Sequence, residues 1–353
     1  MKAHIGLPHI RQETFMKKTS IALLGLFAVA GFTALPVQAQ TYTSFDADPH
    51  ATEPAKIDSS GRIIGTVFHS NQTYGGFIRN TDGSITLISY PGSLSTDWIG
   101  FAGSTEIAGS YSDTSYVEHG FFGPIGGPYT RFDVPSSKQT TLVAANSVGQ
   151  AIGSWTDLSG IEHGFLRNAD GSIVTLAAPG AAATIPNDIN TSGQIAGWTQ
   201  DSSGVVHGFL RSSGGSYTVY SLPSGTVNAS VHLNDAGQIA GSYAGSNYVY
   251  YAFFRDTNGT LTTFTVNGAP TSASDINQGG YIVGVYGARN SLHRGFMRRP
   301  DGTIVSLEYP GASFINSTTA ATCINQSGTI AGRYQINTTT QTTVHGFIVT
   351  GVN

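Results

Sequence analysis

An all-β architecture follows from three features of this chain: its turn residues, its short apolar runs and its internal repetition. Charged side chains make up 11% of the 353 residues, less than half the usual share of about 25%, so long solvated helices are not expected. No segment after residue 40 keeps a helical hydrophobic period, and the apolar runs are short and bounded by Asn, Asp and Gly. The formal net charge is −4 and there is one cysteine. That composition excludes an internal disulfide and a multi-cysteine zinc site, and the lack of a basic run excludes a nucleic-acid surface.

The amino-terminal 39 residues read differently from the rest. Met16-Lys17-Lys18 precedes an apolar run from Ile21 to Leu35, and Val37-Gln38-Ala39 then leads into Gln40. Basic, apolar and small-residue segments in that order predict a secretory signal peptide over residues 1–39, with translation starting at Met16. The apolar run is short for a membrane anchor. Removing residues 1–39 takes away Lys2, Arg11, Lys17, Lys18 and Glu13, which leaves 13 basic and 20 acidic residues. The expected product is an acidic secreted or periplasmic protein, monomeric and without a membrane span.

From residue 40 onward the chain repeats itself. Asp188-Ile-Asn-Thr-Ser-Gly-Gln-Ile-Ala-Gly197 is matched by His232-Leu-Asn-Asp-Ala-Gly-Gln-Ile-Ala-Gly241, and related segments end at Gly65, Gly109, Gly153, Gly284 and Gly332. A second phrase follows in each copy: His119-Gly-Phe, His163-Gly-Phe, His207-Gly-Phe and His345-Gly-Phe, with Gly75-Gly-Phe, Tyr251-Ala-Phe and Arg294-Gly-Phe in the same slot. Each copy divides into four strands. Strand a precedes Ile-Asn, strand b is Gln-Ile-Ala-Gly-x-Tyr, strand c is His-Gly-Phe-Leu-Arg, and strand d is the Thr/Val/Leu run before Pro. Asn-x-x-Gly between a and b is a tight-turn sequence, and Asp-Gly or Asn-Gly pairs join c to d.

Four strands per unit, 43 to 48 residues apart and seven times over, is the arithmetic of a seven-bladed β-propeller with four-stranded blades. The last copy lacks its strand d, while Tyr42-Thr-Ser-Phe-Asp at the start resembles Tyr129-Thr-Arg-Phe-Asp. The amino-terminal strand is therefore expected to complete the last blade and close a single domain over residues 40–353, removing two exposed edges.

Repeats of this form resemble the HAF repeat family of bacterial exported proteins, across essentially residues 41–353. The resemblance implies secretion and a repeat fold and brings no established reaction or catalytic residue. This chain prefers Gly to Ala in the middle slot, and copies one, five and six lack the histidine.

Several residue sets read two ways. His119, His163, His207 and His345 are either ligands in a ring or, more plainly, local hydrogen-bonding groups that fix the b–c loop. Thr52, Thr96, Thr140, Thr184, Thr271 and Thr319 either form a polar ring at one mouth or cap the d–a connection. Tyr111, Trp155, Tyr243, Tyr286 and Tyr334 are packing residues or a stacking platform. The slot just before the Ile of Ile-Asn varies most: Lys56, Gly100, Ala144, Asp188, His232, Asp275 and Cys323. If those side chains face the axis, Lys56, Asp188, His232 and Asp275 form a polar cluster able to hold a small ligand or polarise water, against the plainer reading of a hydrated lining. Asp97 and Trp98, at the end of a d–a connection, are a second candidate pair for a sugar ring, or a core tryptophan and its neighbour. Cys323 reads as a buried apolar thiol.

No catalytic motif, phosphate loop or calcium loop is present, and no metal or cofactor is expected. That pattern favours a binding or interaction module for glycan or a cell-surface protein. The alternative is a hydrolase or lyase with one axial site, acting on an exported polymer or lactone, because propeller enzymes gather residues from several blades and leave no local motif.

Overall fold

Strand patterning and turn chemistry account for the whole described chain. The computed structural model describes residues 40–352, apart from 72, 224–225, 227, 288–292, 311, 313–317 and 338–340; the side chains of residues 97–99 and 228 are also left aside. The expected leader, residues 1–39, lies outside the described residues. Among these there are 28 strands and no helix, and no helix is therefore long and apolar enough to cross a membrane.

Repeats 2 to 6 each form one antiparallel four-stranded sheet in the order a-b-c-d. In repeat 3 these strands are Gln139–Ala145, Ala151–Thr156, Glu162–Arg167 and Ile173–Leu176. Repeat 1 runs likewise from Ala51–Ile57 to Ile85–Ile88. The last repeat supplies Thr319–Ile324, Ile330–Asn337 and Thr342–Thr350, and Thr41–Phe45 pairs antiparallel with the last of these, Thr41 opposite Thr350 and Phe45 opposite Gly346. A bridge between Ala51 and Val344 joins the sheets of repeats 1 and 7.

The repeated phrases have distinct packing roles. The phenylalanine of strand c is fully buried in all seven copies, as Phe77, Phe121, Phe165, Phe209, Phe253, Phe296 and Phe347. Burying one such ring is worth up to about 3 kcal/mol, against about 1 kcal/mol net for a hydrogen bond. Ring burial therefore dominates the stability, while the hydrogen bonds select the register. Each ring needs room that strand b provides with glycine. A Cβ on Gly153 would lie 2.0 Å from the Thr141 carbonyl oxygen and 2.9 Å from the Phe165 ring.

Asparagine makes the a–b turn. In repeat 3 the Asn146 side-chain oxygen accepts from the Gln150 amide at 3.0 Å, and Gly149 takes φ +81°. The same side chain reaches the neighbouring sheet, because Asn146 Nδ2 donates to the Asn190 carbonyl at 2.9 Å. Asn190, Asn234 and Asn277 do likewise to Asn234, Asn277 and Asn325. A second link is aromatic. The arginine ending strand c lies over a ring of the preceding repeat, Arg167 over Phe122 at 4.3 Å and Arg255 over Tyr220 at 4.8 Å.

The threonines are caps. Thr96, Thr140 and Thr184 are buried, and their hydroxyls accept from the Tyr90, Val134 and Ala178 amides of the d–a connection at 2.8 to 3.0 Å. They form no open polar ring. The histidines bind within their own repeats: His163 and His207 meet Asp157 and Asp201 on the b–c loop at 3.0 and 3.3 Å, and His119 meets Asp113 and Asp133. Tyr111 stacks on Tyr90 and Tyr334 on Tyr309, with centroids 3.7 and 3.8 Å apart.

Candidate functional site

The variable slot sits where strand a is deformed. Six of the seven a–b pairs shift register immediately before it, between Pro54 and Lys56, Trp98 and Gly100, Leu142 and Ala144, Pro186 and Asp188, Ala273 and Asp275, and Ala321 and Cys323. Such a bulge bends the strand and re-aims the next side chain. Five of these six slots, Lys56, Gly100, Ala144, Asp188 and Asp275, line one cavity of about 260 Å³, and Cys323 is buried in the core instead. Strand a of repeat 5 pairs without a shift, and His232 is not among the lining residues.

Lys56 is the centre of the cluster. Its Nζ lies 3.6 Å from Asp275 Oδ1 and 4.0 Å from Asp188 Oδ2, so one side chain of repeat 1 reaches carboxylates of repeats 4 and 6. Desolvation opposes its charge, but Asp188 and then Asp275 outweigh that and raise its pKa. The aspartates also brace the sheets. Asp188 Oδ2 accepts from the Leu233 amide at 2.9 Å, and Asp275 Oδ2 from the Ile324 amide at 3.0 Å. His232 lies within the field of these groups. Desolvation and Lys56 push its pKa down, against the opposing pull of Asp188 and Asp275. Burial, with Asp275 next, pushes the Cys323 thiol up to about 12, which leaves it protonated.

The cavity opens at the a–b turns, not at the d–a connection where the sequence suggests Asp97 and Trp98 as a candidate pair. The reason is positional, since the slot and its bulge lie at the end of strand a next to the turn. At that mouth Asp235 accepts from the Thr191 amide at 2.8 Å and from Gln278 Nε2 at 2.6 Å. Sequence reasoning missed Asp235 and Gln278. Their signal was the variable residue after Asn in each Asn-x-x-Gly turn. Asp97 and Trp98 belong to strand a of repeat 2, Ser95–Phe101, opposite Ser110 and Gly109, so they are strand residues and not loop residues. Their side chains lie outside the described residues.

Chemically the site is a small polar cup with an acidic surplus. Two carboxylates surround one ammonium, and Asp235 adds a third negative group at the rim. Gly100 and Ala144 add no charge to the lining. Anionic ligands are disfavoured there. Hydroxyl-bearing or amine-bearing groups fit.

No protein-family model matches the chain, and no curated protein matches it in sequence. Among solved structures the chain is similar to virginiamycin B lyase from Staphylococcus aureus in complex with quinupristin, at 12% identity and TM-score 0.59 over 88% of this chain and 99% of that chain. It is also similar to the β-propeller domain of the Trilobed protease from Pyrococcus furiosus, of open velcro topology (8% identity, TM-score 0.57, 85% and 95% covered). A third is the BP39L lectin from Burkholderia pseudomallei (10% identity, TM-score 0.53, 83% and 97% covered). At such identities the likeness concerns architecture alone, and the architecture is that of a β-propeller.

Proposed function

We propose that this chain is an exported binding module, a closed seven-bladed propeller whose axial cavity holds one small neutral or amine-bearing unit of a glycan or of cell-surface material. Closure is supported by contacts that recur across the junction of repeats 7 and 1. Asn325 Nδ2 donates to the Asp58 carbonyl at 3.4 Å, and Arg79 lies over Phe45 at 5.1 Å, as their counterparts do between other neighbours.

The observation that carries the binding reading is the cost of the charge cluster. Burying two carboxylates beside a partly exposed ammonium opposes their charge, and pairs so placed often add no net stability. At 3.6 to 4.0 Å the Lys56 contacts are also longer than the 2.7–2.9 Å of strong charge-assisted bonds. Repeats 2 and 3 fold with Gly100 and Ala144 in the same slot, so the scaffold does not need the charges. A volume of 260 Å³ lies just under the usual range of about 300–1,000 Å³ for ligand pockets. That size suits a single terminal residue and not an internal stretch of polymer.

A glycan array followed by calorimetry tests this reading. Lys56→Ala is expected to weaken binding by about tenfold or more. Absence of binding to any polysaccharide or surface extract would sink it. One observation favours the enzymatic alternative, namely that His232 is held towards its neutral form, as a base must be, beside three charged groups. Turnover of a lactone or exported polymer that is lost in His232→Ala would establish the alternative, and unchanged turnover would remove it.

A further inference from the structure

The b–c loop has one position of left-handed backbone, and two repeats fill it with an unexpected residue. In repeats 3 and 4 it is Gly160 and Gly204, at φ +93° and +85°. The equivalent residues of repeats 2 and 5 are Tyr116 and Tyr248, at φ +63° and +57°, each closing the same turn through its amide to the Asp113 or Gly245 carbonyl. A bulky side chain is strained there. Among the described residues no side-chain contact offsets that strain. The two side chains are 81% and 63% exposed, and neither has a ring contact or a side-chain hydrogen bond among the described residues.

Tyr248 borders a cleft of about 490 Å³ between repeats 5 and 6, on the b–c face and away from the axial cavity. Tyr250, itself 41% exposed, stands beside it, and Val249, Pro270 and Tyr286 form apolar wall. Among the described residues no Asp, Glu, Lys or Arg lines the cleft; its described polar groups are Asn247, Ser272 and His293. Asn247 Oδ1 is taken by the Val249 amide at 3.0 Å, which leaves the side-chain amide hydrogens to donate outward.

We propose that this cleft is a second binding site, independent of the axial one, and that it takes a neutral pyranose residue of a glycan chain. A pyranose presents C–H faces to a tyrosine ring and hydroxyls to amide and hydroxyl groups, which are the two surfaces the cleft offers. Among the described lining residues an acidic ligand finds no permanent cation. A folded partner needs a broad surface, of order 1,000 Å² in total, and the feature is a narrow slot between two sheets.

Calorimetry with neutral hexasaccharides of β-1,4-linked glucose, β-1,4-linked N-acetylglucosamine and α-1,6-linked mannose tests the proposal. At least one should bind. Tyr248→Gly suits the backbone at that position and keeps the fold, yet should weaken binding about tenfold, whereas Tyr248→Phe should stay within about threefold. The proposal is overturned if none of the three binds, or if Tyr248→Gly binds as the parent does. Binding that Lys56→Ala abolishes and Tyr248→Gly spares belongs to the axial cavity and overturns it equally.

Discussion

Single residues here are selected by what touches them, and two substitutions make that visible. Gly153 carries no side chain because the Thr141 carbonyl and the Phe165 ring occupy the space a Cβ would need. Gly153→Ala is expected to cost about 3 kcal/mol or more, read as a lower denaturant midpoint with unchanged slope. His232 makes the second case, through its titration. Its folded pKa lies below the ordinary value, so between about pH 6.5 and that lower value the unfolded chain binds a proton the folded chain refuses. Stability from this group is complete above about pH 6.5 and is lost as pH falls. Melting temperature measured from pH 8 to 5 should therefore decline more steeply for the parent than for His232→Gln.

At the scale of elements the informative unit is the a–b turn. Its asparagine does two jobs, holding its own turn and reaching the next sheet. Asn190 accepts from the Gln194 amide at 2.9 Å and donates to the Asn234 carbonyl at 3.1 Å, while 4% exposed. Asn190→Ala leaves both partners unpaired in a buried place, at about 1–3 kcal/mol for each. Chemical denaturation should show a loss of about 3 kcal/mol, and Asn190→Asp should recover only the part due to the turn, because it lacks the donor. The strand-a bulge is the other element-scale device. It lies immediately before the variable slot in six repeats, and five of those slots line the cavity; strand a of repeat 5 pairs without it, and His232 does not line the cavity.

For the whole molecule the decisive pairing is Thr41–Phe45 against Thr342–Thr350. Thr41 and Thr350 are opposite each other and both exposed, so Thr41→Cys with Thr350→Cys should cross-link on oxidation and raise the melting temperature. A double mutant that stays reduced and unlinked under oxidant would count against closure of the ring by its amino-terminal strand. Deleting residues 40–45 should lower the melting temperature, since it uncovers the edge beside Phe347.

Much of this was legible along the chain. Turn residues, short apolar runs and the recurring Asn, Gly and Phe mark the strands, because each acts on neighbours a few residues away or on an identical partner one repeat on. The all-β class, the strand order within each repeat and the divergence of the slot at Lys56, Asp188, His232 and Asp275 follow from that local chemistry. The grouping of those four was legible only as a conditional, because whether the side chains face one cavity depends on a bulge that shifts register by one residue and on curvature summed over several sheets. Tertiary structure alone brought Lys56 to Asp188 and Asp275, set His232 beside them, opened the cavity at the a–b turns and left Tyr248 strained beside a cleft. Contacts between residues more than a hundred positions apart are decided by how sheets stack, and stacking angles leave no trace in sequence spacing.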